Sequence, residues 1–491
     1  MGLEIENTSF TEQDFSNFSN RLRSNIKALE SLLARPDFGE GELSFGAELE
    51  LYIVDPEGRP LYLNQEIIAE LNDPQLTLEL NRYNLEYNFS PVLLKDSCFS
   101  KTEIEAQAAI DKVNACAAQW NGSVVPVGIL PTLEQSDIGY HAMTKLGRFE
   151  ALTKELTDIR GGPFTIAIEG DETLQLAMDD VTLEGANTSF QVHLRVPPKE
   201  FADFYNAVQL VTPLVVAMAA NSPTLFGHRL WQETRIPLFK QSIDCRPQDS
   251  LNPIPARVNF GNNWLRESAI ELFEEAAFLY RPILPDCSDE DPMAVIQSGG
   301  IPKLHELRLH QGSIWLWTRP VYDPADGGHL RIELRSLPAG PSIVDMLANA
   351  ALAIGLAKLM QPGIKELLPA IPFTYCTANF YRAAKKGMDA ELFWPSRFQS
   401  EPQYRPVADI IQELLPQLPE QLESMGFIPS DFQPLLKVIE ERLSTKQTGA
   451  QWQLNKLQEL RKDMHKREAL FEMFSQYRTN SAKNIPVAQW R

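Results

Sequence analysis

The chain has 491 residues, of which 44% are hydrophobic and 22% charged, the composition of a globular protein with a large core. Its length alone allows about three domains, or one large domain with appendages. The formal net charge of −20 argues against nucleic acid as a main partner, because binding nucleic acid needs a basic surface.

The cysteines and the apolar segments indicate the cellular compartment in which the protein is expected. Five scattered cysteines form no Cys-x-x-Cys pair, which favours reduced thiols in the cytoplasm over a disulfide framework or a zinc site. The first residues are acidic and polar, so we expect no secretory signal. The longest apolar run, 205–220, is interrupted by Gln209 and Pro213, and we predict a buried helix there, not a membrane span.

In the first half of the chain, predicted helices and strands alternate. Apolar residues at helical spacing predict helices over 10–35, 100–120, 148–159 and 200–220, with a short one inside 62–80. Alternation of apolar and polar residues predicts strands over 44–54, 84–91, 123–130 and 189–196. These elements predict an α+β fold with a mainly antiparallel sheet.

The second half begins with an irregular stretch, 224–262, which is rich in Arg, Pro and Asn and which we predict to be a functional loop. A strand at 329–335 and an apolar helix at 343–360 follow. From about 395 the composition changes, and helices at 435–443 and 451–474 are predicted to be basic and solvent-facing. We therefore divide the chain into a main domain, 1–394, and a helical C-terminal extension, 395–491.

The strand 44–54 carries two carboxylates on its polar face. Glu48 and Glu50 are two residues apart, so their side chains lie on the same face, roughly 6.5–7 Å from each other. For this strand alone, a solvated sheet face is an equally good interpretation. The polar faces of three other strands add further candidate ligands, namely Glu86, Gln191, His193, Arg331, Glu333 and Arg335.

These polar faces predict a site for a metal ion and phosphate. Oxygen-rich ligands with one imidazole suit Mg²⁺ or Mn²⁺, and guanidinium groups suit phosphate. On strand 329–335, Glu333 lies between two arginines, each roughly 6.5–7 Å away, so we expect neither arginine to pair with it along the strand. We predict that one face of one sheet brings together Glu48, Glu50, Glu86, His193 and Glu333.

Four short motifs, in this order, resemble one protein family. They are Phe45-Gly-Ala-Glu-Leu-Glu50, Gln191-Val-His193, Ala220-Asn-Ser-Pro223 and Arg331-Ile-Glu-Leu-Arg335. Over roughly residues 40–360 the chain is similar to the glutamate–cysteine ligases of the second type, the carboxylate–amine ligases. The resemblance implies a fold like the catalytic domain of glutamine synthetase, with a curved sheet, a polar active-site face and helices on the other face.

The resemblance implies an ATP-dependent ligase that activates a carboxylate, that of glutamate by preference, as an acyl phosphate for attack by an amine. The catalytic domain would be 1–394, with ATP and Mg²⁺ or Mn²⁺ bound. The implied metal ligands are Glu48, Glu50, Glu86, His193 and Glu333. Arg331 and Arg335 would bind or stabilise the phosphoryl group. Arg229 and Arg235, which follow Ala220-Asn-Ser-Pro223, would bind the carboxylate of an amino acid.

The sequence departs from the family at Gln191, where related ligases have the first His of His-x-His. Glutamine is a poor metal ligand, so Gln191 is assigned to substrate binding. The implied partners are small molecules (ATP, an amino acid and an amine), with no nucleic acid and no membrane, and a homo-oligomer is possible. A catalytically silent relative that binds nucleotide or amino acid and regulates a partner remains the alternative.

Overall fold

The fold is built on β1, which lies at the centre of an eight-stranded antiparallel sheet. The computed structural model describes residues 9–247, 254–395 and 403–491. Within these ranges the strands are β1 (Ser44–Val54), β2 (Leu76–Leu78), β3 (Asn84–Asn88), β4 (Val92–Leu93), β5 (Ser123–Val125), β6 (Phe164–Glu169), β7 (Thr173–Met178), β8 (Phe190–Arg195), β9 (Thr224–Leu225), β10 (His228–Arg229), β11 (Val258–Asn259), β12 (Trp315–Leu316), β13 (Thr318–Asp323), β14 (His329–Leu334), β15 (Glu391–Trp394) and β16 (Gln403–Pro406).

The strand order in the sheet is β13-β14-β8-β1-β3-β2, and the short strands β4 and β5 also pair with β1. Every pair in this sheet is antiparallel. Along β1 the apolar positions Phe45, Ala47 and Leu49 are buried, whereas the polar positions between them are half-buried. The sheet therefore has one face in the core and one polar face, and the predicted α+β fold with a curved antiparallel sheet is confirmed.

The α-helices surround this sheet and fill the C-terminal part of the chain. In the described residues they are α1 (Glu12–Leu33), α2 (Asn64–Leu71), α3 (Cys98–Ala117), α4 (Gly147–Arg160), α5 (Phe201–Ala219), α6 (Arg235–Ser242), α7 (Ile270–Leu279), α8 (Pro292–Gln297), α9 (His305–Gln311), α10 (Ile343–Met360), α11 (Ile364–Leu367), α12 (Phe373–Lys386), α13 (Val407–Leu414), α14 (Leu418–Ser424), α15 (Pro429–Thr445), α16 (Gly449–Leu460) and α17 (Lys466–Ser481).

Two apolar helices, α5 and α10, pack against each other in the core. The Tyr205 hydroxyl of α5 donates a hydrogen bond to the Thr318 carbonyl at the start of β13, which ties the helix pair to the sheet. Two segments, Phe201–Ala219 and Ile343–Ala370, are long and apolar enough to cross a membrane, but 94% and 78%, respectively, of their apolar 18-residue windows is buried inside the protein. Their hydrophobicity is that of core helices, as predicted for 205–220.

Most of the predicted elements are present, with several differences. The predicted helix 451–474 is two helices, α16 and α17, and the predicted strand 123–130 is present only as the short β5. The segment 62–80 contains the predicted short helix, α2, and also the strand β2, whose alternation was overlooked. The segment 224–262, predicted to be a loop, contains α6 and short strands in its described part, while residues 248–253 lie outside the described residues. The apolar residues of α6 are buried, which is why its eight residues are ordered as a helix.

The C-terminal helices are present, but the prediction that they face solvent is wrong. Arg442 of α15 is only 1% exposed and its Nη2 lies 2.7 Å from Oδ1 of Asp345 on α10. Trp452 of α16 and Phe474 of α17 are also buried. These buried side chains cover the core, whereas other basic residues, such as Arg467, lie on the outer sides of the helices. The boundary at residue 394 stays a prediction.

A buried hydrogen-bond network connects α17 to the centre of the fold. The Tyr477 hydroxyl donates to the Pro126 carbonyl at 2.9 Å and accepts from Nδ2 of Asn221 at 2.8 Å. The backbone N–H of Asn221 in turn donates to Oε2 of Glu233. Because Asn221 is fully buried, the C-terminal helices supply partners that its side-chain amide needs.

His310 on α9 should make the stability of the protein depend on pH. Burial lowers the pKa of His310 to about 4, because the residue is 2% exposed and water cannot solvate the protonated, charged ring. In the unfolded chain its pKa is about 6.5, so the unfolded state binds the proton preferentially between these values. The folded state is fully stable in this respect above pH 6.5 and loses stability as the pH falls towards 4. The loss of stability is about 2 kcal/mol at pH 5.

Denaturant unfolding at pH 7 and at pH 5 measures this effect. His310→Gln retains an N–H donor for the Ala276 carbonyl, which lies 2.9 Å from Nε2 of His310. The variant should lose about 2 kcal/mol less than the parent between the two pH values. An equal loss in both proteins would show that the acid sensitivity arises elsewhere.

Candidate active site

The strand register places the predicted acidic residues on one face of the sheet. Glu50 of β1 lies opposite Glu86 of β3, and His193 of β8 lies opposite Glu333 of β14. Glu48 precedes Glu50 by two residues and therefore projects to the same side. Residues directly opposite each other in an antiparallel pair project to the same face. The predicted convergence of these five residues is confirmed.

Their ligand atoms fall into two groups that could each hold a metal ion. In each group the three ligand atoms all lie within 4.8 Å of one another. The first triad is Glu48, His193 and Glu333, and the second triad is Glu50, Glu79 and Glu86. Glu79 was not predicted, although Leu76-Thr-Leu-Glu-Leu80 shows the same alternation as the other strands.

The first triad contains an imidazole suited to metal binding. His193 is 6% exposed, and its Nε2 lies 3.2 Å from Oε1 of Glu48. Nδ1 of His193 makes no hydrogen bond to any described residue. A buried imidazole usually has a partner for both nitrogens, so this one fits a ligand of a cation.

Two arginines neutralise Glu333, the third member of the first triad. Nε and Nη2 of Arg319 lie 2.6 and 3.1 Å from the two carboxylate oxygens of Glu333, and Nη1 of Arg335 also contacts Glu333. Burial alone would raise the pKa of Glu333, but these guanidinium groups lower it to about 2. Glu333 is therefore ionised at neutral pH and able to bind a cation.

These contacts correct the expectation that no arginine of the strand would pair with Glu333. The side chain of Arg335 is long enough to bend back over the two intervening positions and reach the carboxylate. Arg319 was missed, although Thr318-Arg-Pro-Val-Tyr-Asp323 alternates like the other polar-faced strands. Its register opposite Glu333 in the β13–β14 pair explains the contact.

Arg331, the other arginine of this strand, has a different partner. Its Nη1 lies 3.2 Å from Oδ2 of Asp323 on β13. Arg331 shares the polar face with Glu333, but no contact between their side chains is present among those described. The structure thus brings Arg335, and not Arg331, to the carboxylates, because the nearby Asp323 already neutralises Arg331.

Gln191 connects the two triads. Its Nε2 donates a hydrogen bond of 2.8 Å to Oε1 of Glu50, and its Oε1 accepts one from Nη1 of Arg335. The residue is 1% exposed. Because both ends of the amide bind protein side chains, this arrangement favours a positioning role over the predicted contact with substrate.

The second triad carries more negative charge than its surroundings neutralise. Glu50 accepts hydrogen bonds from the backbone N–H and the hydroxyl of Ser189, at 2.8 and 2.9 Å. Burial, together with the nearby charge of Glu86, nevertheless raises the pKa of Glu50 to about 7. Burial and the same neighbours also raise the pKa of Glu79. Uncompensated buried carboxylates of this kind fit a divalent cation.

The two arginines predicted to bind an amino-acid carboxylate are separated in the structure. Arg235 is 2% exposed and its Nη1 lies 3.1 Å from Oε1 of Glu233. Nε of Arg229 lies 3.6 Å from Oε2 of Glu172, and 44% of its side chain is exposed. Arg229 lies on the surface hairpin β9–β10, which does not point it to the cavity that Arg235 shares with Glu50. The pair therefore does not form one carboxylate clamp.

Comparisons with known proteins agree with this architecture. The model of the family described as glutamate–cysteine ligase family 2 matches residues 44–472. Glutamate–cysteine ligase from Francisella tularensis, solved in complex with AMP, has a TM-score of 0.55 at 10% identity, over 91% of this chain and 90% of that chain. At this identity the likeness shows the shared fold.

A second solved structure is more distant. The bifunctional glutathione synthetase from Pasteurella multocida has a TM-score of 0.46 at 10% identity, over 95% of this chain and 55% of that chain. That likeness is too weak to carry an argument. No curated protein matches the chain. The family match extends beyond the resemblance inferred from the motifs, since it includes α15 and α16.

Proposed function

The chain belongs to glutamate–cysteine ligase family 2, and on that premise we propose that it joins the side-chain carboxylate of glutamate to an amine. Without regard to the identity of its substrates, the protein is an ATP-dependent carboxylate–amine ligase. The proposal that glutamate is joined to an amine is supported by the two triads of candidate metal ligands on one sheet face, which Gln191 and Arg335 connect. No observation favours the catalytically silent alternative, since every predicted acidic ligand is retained.

The first step would form an acyl phosphate. An oxygen of the substrate carboxylate attacks the γ-phosphorus of ATP, the bond from that phosphorus to the bridging oxygen breaks, and ADP leaves with the electron pair. Arg335 and Arg319 lie beside Glu333 and place positive charge where the transferred phosphoryl group gains negative charge. Phosphoryl transfer is catalysed largely by such positioning and electrostatic stabilisation.

In the second step the amine nitrogen attacks the acyl carbon. Phosphate leaves with the electron pair of the carbon–oxygen bond, the nitrogen loses a proton, and an amide forms. Gln191 keeps Arg335 and Glu50 in a fixed relation during both steps.

Both triads fit divalent cations. Five carboxylates and one imidazole favour Mg²⁺ or Mn²⁺, and Nδ1 of buried His193, which has no partner among the described residues, leaves a ligand position available. We propose that the first triad holds one cation and the second triad another. Bound there, the cations would neutralise the phosphate oxygens of ATP. The substrates would then be ATP, an amino acid and an amine, in a cytoplasmic enzyme that is free to form homo-oligomers.

A screen of ADP release tests the proposal. The protein is incubated with ATP, Mg²⁺ and single amino acids, each paired with an amine or with hydroxylamine, which traps acyl phosphates as hydroxamates. We expect ADP release to require both an acid and a nucleophile, with glutamate the best acid. ADP release that does not depend on any added carboxylate, or the absence of any turnover, would contradict the proposal that the protein is a ligase that uses glutamate.

Replacing Arg335 by lysine should lower turnover by at least about tenfold, which is roughly 1.4 kcal/mol of transition-state stabilisation. Nη1 of Arg335 contacts both Gln191 and Glu333, and lysine would keep one charge there but lose the remaining N–H donors of the planar guanidinium, which would bind phosphate oxygens. The measurement is the kcat for ADP release. Arg331→Lys, in the neighbouring pair with Asp323, is the matched control and should change kcat much less. Equal effects would refute the special role of Arg335.

A further inference from the structure

A wide cleft, lined by residues of α12, α13 and α15, lies outside the two triads. Its volume is about 1310 Å³, which exceeds the roughly 300–1,000 Å³ of a small-molecule site. Among the described residues, none lines both this cleft and the small cavity beside Glu50, and no triad residue lines the cleft. The cleft is therefore large enough for a stretch of polypeptide and separate from the proposed active site.

Four basic side chains line the cleft. Arg382, Lys385 and Lys386 belong to α12, and Lys446 directly follows α15. Residues three and four apart are neighbours on a helix surface, so the three basic residues of α12 share one face. None of the four forms an ion pair with a carboxylate of the described chain, and two of them lie over aromatic rings instead. Their positive charges are thus available to an anionic group.

Acidic side chains from several elements line the same cleft. They are Asp171 in the turn between β6 and β7, Asp389 and Glu391 after α12, Asp409 on α13 and Glu440 on α15. All five are exposed, and none pairs with a basic group within the described ranges. Because charges of both signs remain unpaired around one cleft, a ligand of a single sign would be attracted by some of them and repelled by others.

Apolar side chains lie among these charges. Leu230 and Leu415 are buried, and Met388, Leu443 and Leu454 are half-buried along the lining. Successive side chains of an extended polypeptide point to opposite sides, so a single segment can present charged and apolar groups to different parts of a cleft. The mixed lining therefore fits an extended polypeptide better than a small ion.

We propose that this cleft docks an extended segment of a partner protein that carries acidic and basic side chains together with apolar ones. Acidic side chains of the segment would face Lys385 and Lys386, and basic ones would face Asp409 and Glu440. The lining selects against segments of one charge sign, since each of these would meet unpaired groups of its own sign. The proposal does not depend on the ligase activity, because no triad residue lines the cleft.

Fluorescence anisotropy with labelled peptides of about seven residues, which reach about 25 Å when extended, tests the docking site. In the mixed probe, leucine alternates with charged positions that are glutamate and lysine in turn. In the three matched probes, every charged position is glutamate, lysine or serine. At low ionic strength the mixed probe should bind to the full-length protein at least about tenfold more tightly than each of the others.

Charge reversal in the cleft should change which probe binds best. Lys385→Glu combined with Lys386→Glu should weaken binding of the mixed probe by at least about tenfold and make the all-lysine probe the preferred one. Lys446→Glu, after a different helix, should shift the preference in the same direction. Lys437→Glu, at an exposed position of α15 that does not line the cleft, is the matched control and should change each Kd by no more than about twofold.

Two results would overturn the proposal. The first is a mixed probe that binds no more tightly than the probes of one sign, or does not bind at all. The second is an equal effect of Lys437→Glu, which would attribute the binding to the net charge of the protein. If the double variant fails to fold, the comparison of Lys446→Glu with Lys437→Glu decides between the same outcomes. The screen of ADP release tests the ligase activity separately, so its failure leaves the docking result unchanged.

Discussion

Removal of divalent cations should abolish ADP release, and Mg²⁺ or Mn²⁺ should restore it while Zn²⁺ does so poorly. The physical reason is the donor set, since hard carboxylate oxygens outnumber the single imidazole in the two triads. Without cations, buried carboxylates of the second triad would also repel the phosphates of ATP. The measurement is the initial rate of ADP release after treatment with a chelator and again after each metal is added back.

A substitution of one proposed metal ligand, Glu333, tests whether the activity depends on cation binding at the first triad. Glu333→Gln keeps the shape of the side chain but removes the charge that Arg319 and Arg335 neutralise. It should raise the Mg²⁺ concentration needed for half-maximal activity by at least about tenfold. Full activity of the parent protein in excess chelator would refute both metal sites.

Replacing Arg442 by methionine should lower the free energy of unfolding by about 3–5 kcal/mol. The guanidinium of Arg442 is 1% exposed and donates to Asp345, to Oδ1 of Asn349 and to the Met218 carbonyl. Methionine fills the space but leaves the carboxylate of Asp345, which is fully buried, without its counter-charge. Denaturant unfolding of parent and variant at pH 7 measures the loss.

Two further variants identify the cause of this destabilisation. Arg461→Met, an exposed position at the end of α16, should change the stability by no more than about 0.5 kcal/mol. Combining Arg442→Met with Asp345→Asn should cost less than the sum of the single changes, since the unpaired charge is then absent. Strict additivity would mean that the ion pair itself contributes nothing and that lost packing explains the effect.

Much of the fold was predictable because its periodicities are strong. The alternation in 44–54 predicted β1, and the apolar run at 343–360 predicted α10 with the bounds that the structure shows. The C-terminal helices were misjudged because α15 and α17 carry many charges on their outer sides, which hides the few positions that reach the core. The burial of Arg442 could not be predicted from composition, since composition does not distinguish a buried arginine from a solvated one.

The site was predictable where a strand presents its ligands on one face. Glu48, Glu50 and Glu333 follow from alternation alone, whereas Glu79 and Arg319 lie on shorter strands whose alternation was overlooked. The grouping of the ligands into two triads depends on strand register, which pairs residues far apart in the sequence. Likewise, nothing in the sequence near Arg229 indicates that Glu172 binds it on the surface.

The late position of α15 and α17 has a consequence for how the protein is made. Arg442 is synthesised 97 residues after its partner Asp345, and Tyr477 follows its partner Asn221 by 256 residues. At roughly 5–20 residues per second, a ribosome adds Arg442 about 5–20 s after Asp345. Throughout that interval the nascent chain carries a carboxylate and an amide whose burial is not yet compensated. The core around Asn221 and Asp345 must therefore stay open to water, or be protected by a chaperone, until translation has passed these helices.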